Sequence, residues 1–286
     1  MSKFLPSARG ASHPSLWLMA ILAACVALIL MSLMSHQAGA PQAAEVPSQA
    51  VEAPVHTPED TPVPTPEPTP SPTPEPDWSQ PVPESEAVAQ EDWFADAVFI
   101  GDSRTDGLHI FSGITAEAVF LEHTGITVYE ILDGKKVIRQ EGEKLPILDV
   151  LAQKQYGKVY VMLGVNELGY KAPQDFAEHY GKLIDAIRES QEDARIYVQS
   201  IIPVNTSDCK SYDQPYYVTN EGVSAYNEAL VAMAQEKKVY FLNIAEVMED
   251  EDGELKSDLS ADGVHFKKSG YLLWLDYLTT HTGVSS

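Results

Sequence analysis

No lysine or arginine stands between Arg9 and Arg104, and the 286 residues hold only 19 basic side chains against 42 acidic ones. The resulting net charge of −23 argues against a nucleic-acid partner, because phosphate binding needs a basic surface. Cysteine is almost as scarce. Cys25 and Cys209 are the only two, one inside an apolar run and one in "NTSDCKSYDQ", which reads as a polar loop. They are not expected to pair, so any folded part relies on its core rather than on disulfides. Metal-ligand spacing is lacking as well: His109 and His123 lie apart from Asp262 and His265. No metal and no other cofactor is expected.

Leu16 to Met34, "LWLMAILAACVALILMSLM", carries no charge and only one hydroxyl, Ser32. About 20 such residues at 1.5 Å each span a bilayer core. With Lys3 and Arg9 before the run and no base after it until Arg104, the positive-inside rule puts residues 1–15 in the cytoplasm and the rest outside. The expectation is a single-pass cell-membrane protein with residues 16–34 as signal-anchor. A secretory signal cleaved near "HQAGA" and a lipoprotein using Cys25 of "LAAC" are the alternatives.

Residues 35–90 read as a disordered linker. Fourteen of the 20 prolines fall between Pro41 and Pro83, and "TPVPTPEPTPSPTPEP" places one at every second position. Such a chain favours extended polyproline II, roughly 3.1 Å per residue, and eleven acids between Pro41 and Asp92 add self-repulsion. It reads as a stalk.

Residues 91–286 read as one domain. Apolar runs at Ala97 to Ile100, Ala118 to Leu121, Val159 to Leu163, Ile196 to Ile202 and Val239 to Leu242 are near-continuous, as in strands covered on both faces. Between and after them, Phe176, Tyr180, Leu183, Ile184 and Ile187, and then Tyr271, Trp274, Leu275 and Leu278, recur at helical spacing. The pattern predicts a three-layer α/β/α sandwich around a five-stranded parallel sheet. Ligands of such sheets bind beyond the carboxyl ends of the strands, which directs attention to the loops there.

Four small motifs fall on those loops. In "AVFIGDSRTDGL", Ser103 follows a strand-ending glycine and opens a helix, where a backbone N–H favours developing negative charge. Taken alone, Gly-Asp-Ser is equally a turn with a cap, and Asp102 reads mainly as that capping residue. In "LGVNELG", Asn166 offers an amide donor to an oxyanion. In "SADGVHFKKSGY", Asp262 stands three residues before His265, close enough for the carboxylate to orient the imidazole that a serine base requires.

The set Ser103, Asn166, Asp262 and His265 resembles the SGNH hydrolases, or GDSL-type esterases and lipases, in chain order and across nearly all of Trp93 to Leu278. That resemblance implies a flavodoxin-like SGNH fold and a serine hydrolase acting on carboxylic esters. Ser103 would be nucleophile, His265 base and Asp262 its orienting acid. The oxyanion hole would comprise the Ser103 N–H, a glycine N–H and Asn166. Gly125 in "HTGITVYEIL" is the carried-over glycine, with Gly113 as the other choice. Arg104 replaces the leucine of the family name, and it and Glu167 are substrate-pocket candidates.

Location and the family resemblance together imply an acyl, chiefly acetyl, ester on a cell-wall or other extracellular glycan, with Tyr212, Tyr216 and Tyr217 of "SYDQPYY" as rings on which sugars would stack. An acyltransferase of the same fold and a non-catalytic glycan-binding module are the competing readings. The expected partners are the acylated substrate and the membrane.

Overall fold

A computed structural model describes residues 76–85, 88–89, 92–114 and 117–283. The chain divides into Met1–Thr69 and Pro70–Ser286. The expected transmembrane segment, the cytoplasmic end, both cleavage and lipidation alternatives and most of the linker lie outside the described residues. No helix among the described residues is long and apolar enough to cross a membrane.

Seven strands and eight helices follow one another along the described chain: β1 (Ala97–Gly101), α1 (Ser103–Phe111), β2 (Val119–Glu122), α2 (Val128–Leu132), β3 (Lys136–Gln140), β4 (Glu143–Pro146), α3 (Ile147–Leu151), β5 (Lys158–Met162), α4 (Pro173–Ser190), β6 (Arg195–Gln199), α5 (Thr206–Ser211), α6 (Asn220–Lys237), β7 (Tyr240–Leu242), α7 (Ala245–Met248) and α8 (Lys268–Thr280). Five strands form a parallel sheet in the order β2-β1-β5-β6-β7, as expected. The order reverses between β1 and β5, so the loops after these two strands flank the crevice where such sheets bind ligands.

Side chains alternate across the sheet and bury two separate cores. Val98, Ile100, Val159, Val161 and Val198 pack with α4 and α6, whose buried faces include Phe176, Tyr180, Leu183, Ile184 and Ile187, and Val223, Tyr226 and Leu230. On the other face Ala97, Phe99, Tyr160, Met162 and Tyr197 pack with Leu108 of α1 and with Tyr271, Trp274 and Leu278 of α8. Because parallel strands lie in register, Phe120, Phe99, Tyr160, Tyr197 and Tyr240 stack in a row across this face, with ring centroids 4.7, 4.7, 4.6 and 5.0 Å apart. Each such pair adds about 0.5–1.5 kcal/mol beyond area burial.

Three expectations change. β6 ends at Gln199, not Ile202, because the backbone leaving the sheet is paired by asparagine side chains of α6: Asn227 bonds the N–H and carbonyl of Ile201, and Asn220 those of Val204. The "polar loop" around Cys209 is the helix α5, capped by the Asn205 side chain, and Cys209 is buried. The domain also begins before residue 91. Trp78 packs on Tyr240, buried Val82 donates its N–H to the Phe241 carbonyl at 2.9 Å, and Ala89 reaches Thr279, so the end of the expected linker is a strap along the β7 edge. An antiparallel hairpin, β3-β4, was not anticipated; Glu141 and Gly142 both take positive φ, the conformation of a two-residue hairpin turn.

Candidate active site

Gly101 ends β1 because nothing larger fits: a Cβ there would stand 2.0 Å from Thr105 Oγ1 and 2.7 Å from the Met162 carbonyl. Asp102 then caps α1, its Oδ1 accepting from the Arg104 N–H at 2.9 Å. Ser103 is thereby the first residue of α1, where a backbone N–H has no partner in its own helix.

Ser103 Oγ lies 2.8 Å from His265 Nε2, and His265 Nδ1 lies 2.7 Å from Asp262 Oδ2. The other Asp262 oxygen accepts the N–H groups of Val264 and His265, at 2.9 and 2.7 Å. The loop that carries them is held at several points: Ala261 bonds the His265 carbonyl, Ser260 Oγ accepts the Gly263 N–H, and the Gly263 carbonyl accepts from Asn205. Gly263 takes a φ of +93°, and a Cβ there would meet the Cys209 nitrogen at 2.4 Å. Burial pushes Asp262 up, but the three hydrogen bonds from His265 and Val264 outweigh it and hold its carboxyl below the usual range. A carboxylate so held orients the ring and favours the imidazolium that forms when it takes a hydroxyl proton.

Asn166, on the loop after β5, donates through Nδ2 to Asp102 Oδ2 at 3.0 Å and, at a longer 3.3 Å, to the Ile126 carbonyl. Burial raises the Asp102 carboxyl, with the nearby Arg104 charge the largest opposing influence. Asp102 therefore links the turn that carries Ser103 to Asn166 as well as capping α1. Gly125 lies on the cleft wall with Ser103, Asn166 and His265, whereas Gly113 does not. A Cβ on Gly125 would meet nothing within 4 Å, so its φ of +77°, not crowding, accounts for glycine there. The Gly125 N–H has no acceptor among the described residues. The cleft has a volume of about 580 Å³.

Of the two pocket candidates, Glu167 borders the cleft but is buried, its Oε1 accepting the Val128 N–H at 2.7 Å while Oε2 is buried without a partner. Burial pushes it up to about 8, helped by the Asp102 charge and opposed by the Val128 N–H. Arg104 is a correction: it is only 1% exposed and does not border the cleft. Its guanidinium turns beneath the site because two main-chain carbonyls and the Phe266 ring receive it there. Tyr217 borders the cleft together with Tyr170, 3.3 Å apart through their hydroxyls, while Tyr212 and Tyr216 are exposed but do not line it. Thr127, Tyr129, Tyr170, Lys171 and Gln214 also line it and were not singled out from the sequence; only their place in or beside "HTGITVYEIL", "LGVNELG" and "SYDQPYY" pointed at them. Among the described residues no group of three or more His, Cys, Asp or Glu side chains is placed to hold a metal ion.

A Saccharomyces cerevisiae isoamyl acetate-hydrolyzing esterase is 36% identical over 63 residues, 22% of this chain and 26% of that protein. The match thus spans about a quarter of the curated relative's length. Two solved structures share the fold: a Streptococcus pneumonia protein provisionally named a platelet activating factor (TM-score 0.53, 22% identity, 64% of this chain and 81% of that one), and a Slackia heliotrinireducens protein provisionally named an SGNH hydrolase (0.51, 18%, 65% and 97%). Residues 99–273, more than half of the chain, match the GDSL-like lipase/acylhydrolase family and include Ser103, Asn166, Asp262 and His265. The chain belongs to this GDSL-like lipase/acylhydrolase family.

Proposed function

We propose that the protein is an extracytoplasmic serine esterase that removes an acetyl or similarly short acyl group from a glycan. The observation that carries the mechanism is the continuous relay from Ser103 Oγ through His265 to Asp262, at 2.8 and 2.7 Å, opening on a cleft. Ser103 attacks the ester carbonyl as its proton passes to His265 Nε2, and the imidazolium is stabilised by Asp262. The oxyanion is received by the N–H groups of Ser103 and Gly125 and by the Asn166 amide, which exchanges its longer bond to the Ile126 carbonyl for the new charge. His265 then protonates the departing alkoxide. Water, deprotonated by His265, releases the acid and restores Ser103.

The acetyl group is supported by the yeast relative, whose name gives isoamyl acetate as its substrate. The glycan is supported by the charge-free run at 16–34 and the proline-rich stretch after it, which read as an anchor and stalk placing the domain outside a membrane. Incubating the protein with acetylated glycans and simple acetyl and longer-chain esters, with acid release followed by mass spectrometry, tests both parts. Release that vanishes in Ser103→Ala and is fastest for an acetylated glycan is expected. Undiminished release by Ser103→Ala would overturn the mechanism; preference for long acyl chains or for simple alkyl esters would overturn the substrate.

A further inference from the structure

Arg104 follows the nucleophile directly, yet its side chain leads away from the cleft and into the interior. Nε donates to the Val264 carbonyl at 3.0 Å, and Nη1 to the Ile202 carbonyl at 2.7 Å. The guanidinium carbon stands 5.2 Å from the centre of the Phe266 ring. Nη2 is buried without a partner, so Nε, Nη1 and the ring face are what hold this charge in an interior that solvates it poorly.

The Val264 carbonyl belongs to the same peptide unit as the His265 N–H. That N–H donates to Asp262 Oδ1 at 2.7 Å, so the peptide is gripped from both sides, by a cation at its oxygen and by a carboxylate at its nitrogen. Hydrogen bonds in such a chain polarise one another: a cation drawing on the carbonyl makes the N–H beyond it a better donor. Arg104 also ties two loops to the start of α1, since Ile202 lies after β6 and Val264 lies before α8, while its own backbone is the second residue of α1.

We propose that Arg104 is a positioning residue that locks the Val264–His265 peptide to the nucleophile turn, fixing His265 within reach of Ser103 and strengthening the hold of the peptide on Asp262. The inference rests on the reading of Ser103, His265 and Asp262 as nucleophile, base and acid. Leucine, the residue of the family name, would fill space here but supply neither donor nor charge. The titratable groups close enough for their charge to act on the guanidinium are Asp102 after β1, Tyr271 of α8, Cys209 of α5 and Asp262; His265 is bonded to Asp262 and its charge acts on Asp102. Removing the cation takes a positive charge from the cluster that holds Asp102, Asp262 and His265, so this cluster should gain a proton at higher pH.

Arg104→Lys and Arg104→Leu should be compared with the unaltered protein and with Ser103→Ala on one short ester, recording kcat, KM and the pH profile of kcat/KM. Lysine keeps the charge but reaches only one carbonyl. Its kcat should fall about tenfold, KM staying within about twofold and the acid limb in place. Leucine should lose more kcat than lysine and move the acid limb to higher pH. A lysine variant with full kcat, or a folded leucine variant whose acid limb does not move, overturns the proposal. Should the leucine variant fail to fold, lysine decides. A measurement on the unaltered protein needs no variant: the Arg104 Nε–H resonance should exchange slowly and couple through its hydrogen bond to the Val264 carbonyl carbon, and a freely exchanging Nε–H overturns the clamp. An active Ser103→Ala would instead bring down the underlying mechanism, which separates the two failures.

Discussion

Glu167→Gln is expected to stabilise the protein at alkaline pH and to do almost nothing at pH 4. The Glu167 carboxyl is buried beside the cleft, with one oxygen bonded to the Val128 N–H and the other without a partner. Burial raises it from an ordinary 4.5 to about 8. The folded protein therefore keeps a proton that the unfolded chain releases above about pH 4.5. Stability contributed by the protonated group is fully present below the unfolded value, falls as pH rises toward the folded value, and is level beyond it. At about 1.36 kcal/mol per unit, the interval from 4.5 to about 8 sets a ceiling of about 5 kcal/mol, and relaxation around a buried charge lowers what is measured to the order of 2 kcal/mol. Glutamine keeps the acceptor for Val128 and does not titrate. Urea unfolding of both proteins at pH 4.5, 6.5 and 8.5 should show the glutamine variant gaining steadily over the parent. A difference that is flat across this range would refute the assignment of a buried, proton-bearing carboxyl.

The remaining predictions concern other parts of the same frame. Asn166→Ala should reduce kcat by about 10²–10³. It should also lower stability by about 1–3 kcal/mol, because the buried Asp102 Oδ2 loses its donor; steady-state kinetics and urea titration read the two effects, and a kcat loss below fivefold would remove Asn166 from the proposed oxyanion hole. Gly125→Ala meets no atom but must hold a φ of +77°, so unfolding free energy should fall by about 1 kcal/mol, and an unchanged midpoint in urea would contradict that strain. Val82→Asp places a charge where the strap is buried against the β7 edge; the melting temperature should drop and Trp78 fluorescence should shift to the red, whereas an unaltered spectrum would mean the strap is not a fixed part of the domain.

The central sheet was readable because strands covered on both faces must be apolar on both, and runs such as Ala97 to Ile100 and Val159 to Leu163 announce this without any knowledge of their neighbours. The strap was not readable, since Trp78 and Val82 sit in a composition that forbids a core of its own; they are ordered only by a β7 edge distant in the chain. The hairpin was hidden by its polar, exposed sequence, "KVIRQEGEKLP". Asp262 and His265 were visible because their contact is local, three residues apart. Arg104 was misread for the opposite reason: nothing local reveals that the carbonyls of Ile202 and Val264 converge on it.

The site is built with a regularity. Ser103 and Asn166 both face the cleft, and in each case the next residue turns inward and holds a different loop in place. Arg104, after Ser103, takes the carbonyl end of the Val264–His265 peptide; Glu167, after Asn166, takes the Val128 N–H at the end of the loop that carries Gly125. Asp102, the residue before Ser103, closes the circuit by accepting from Asn166. The groups proposed to meet the substrate are thus held through buried polar bonds between chain neighbours and main chain, not by packing alone. Main-chain partners have a consequence that can be tested against side-chain packing. An apolar replacement of Arg104 or Glu167 leaves a buried carbonyl or N–H unpaired, so even a well-packed leucine or methionine should disturb the geometry of the cleft while filling the same space.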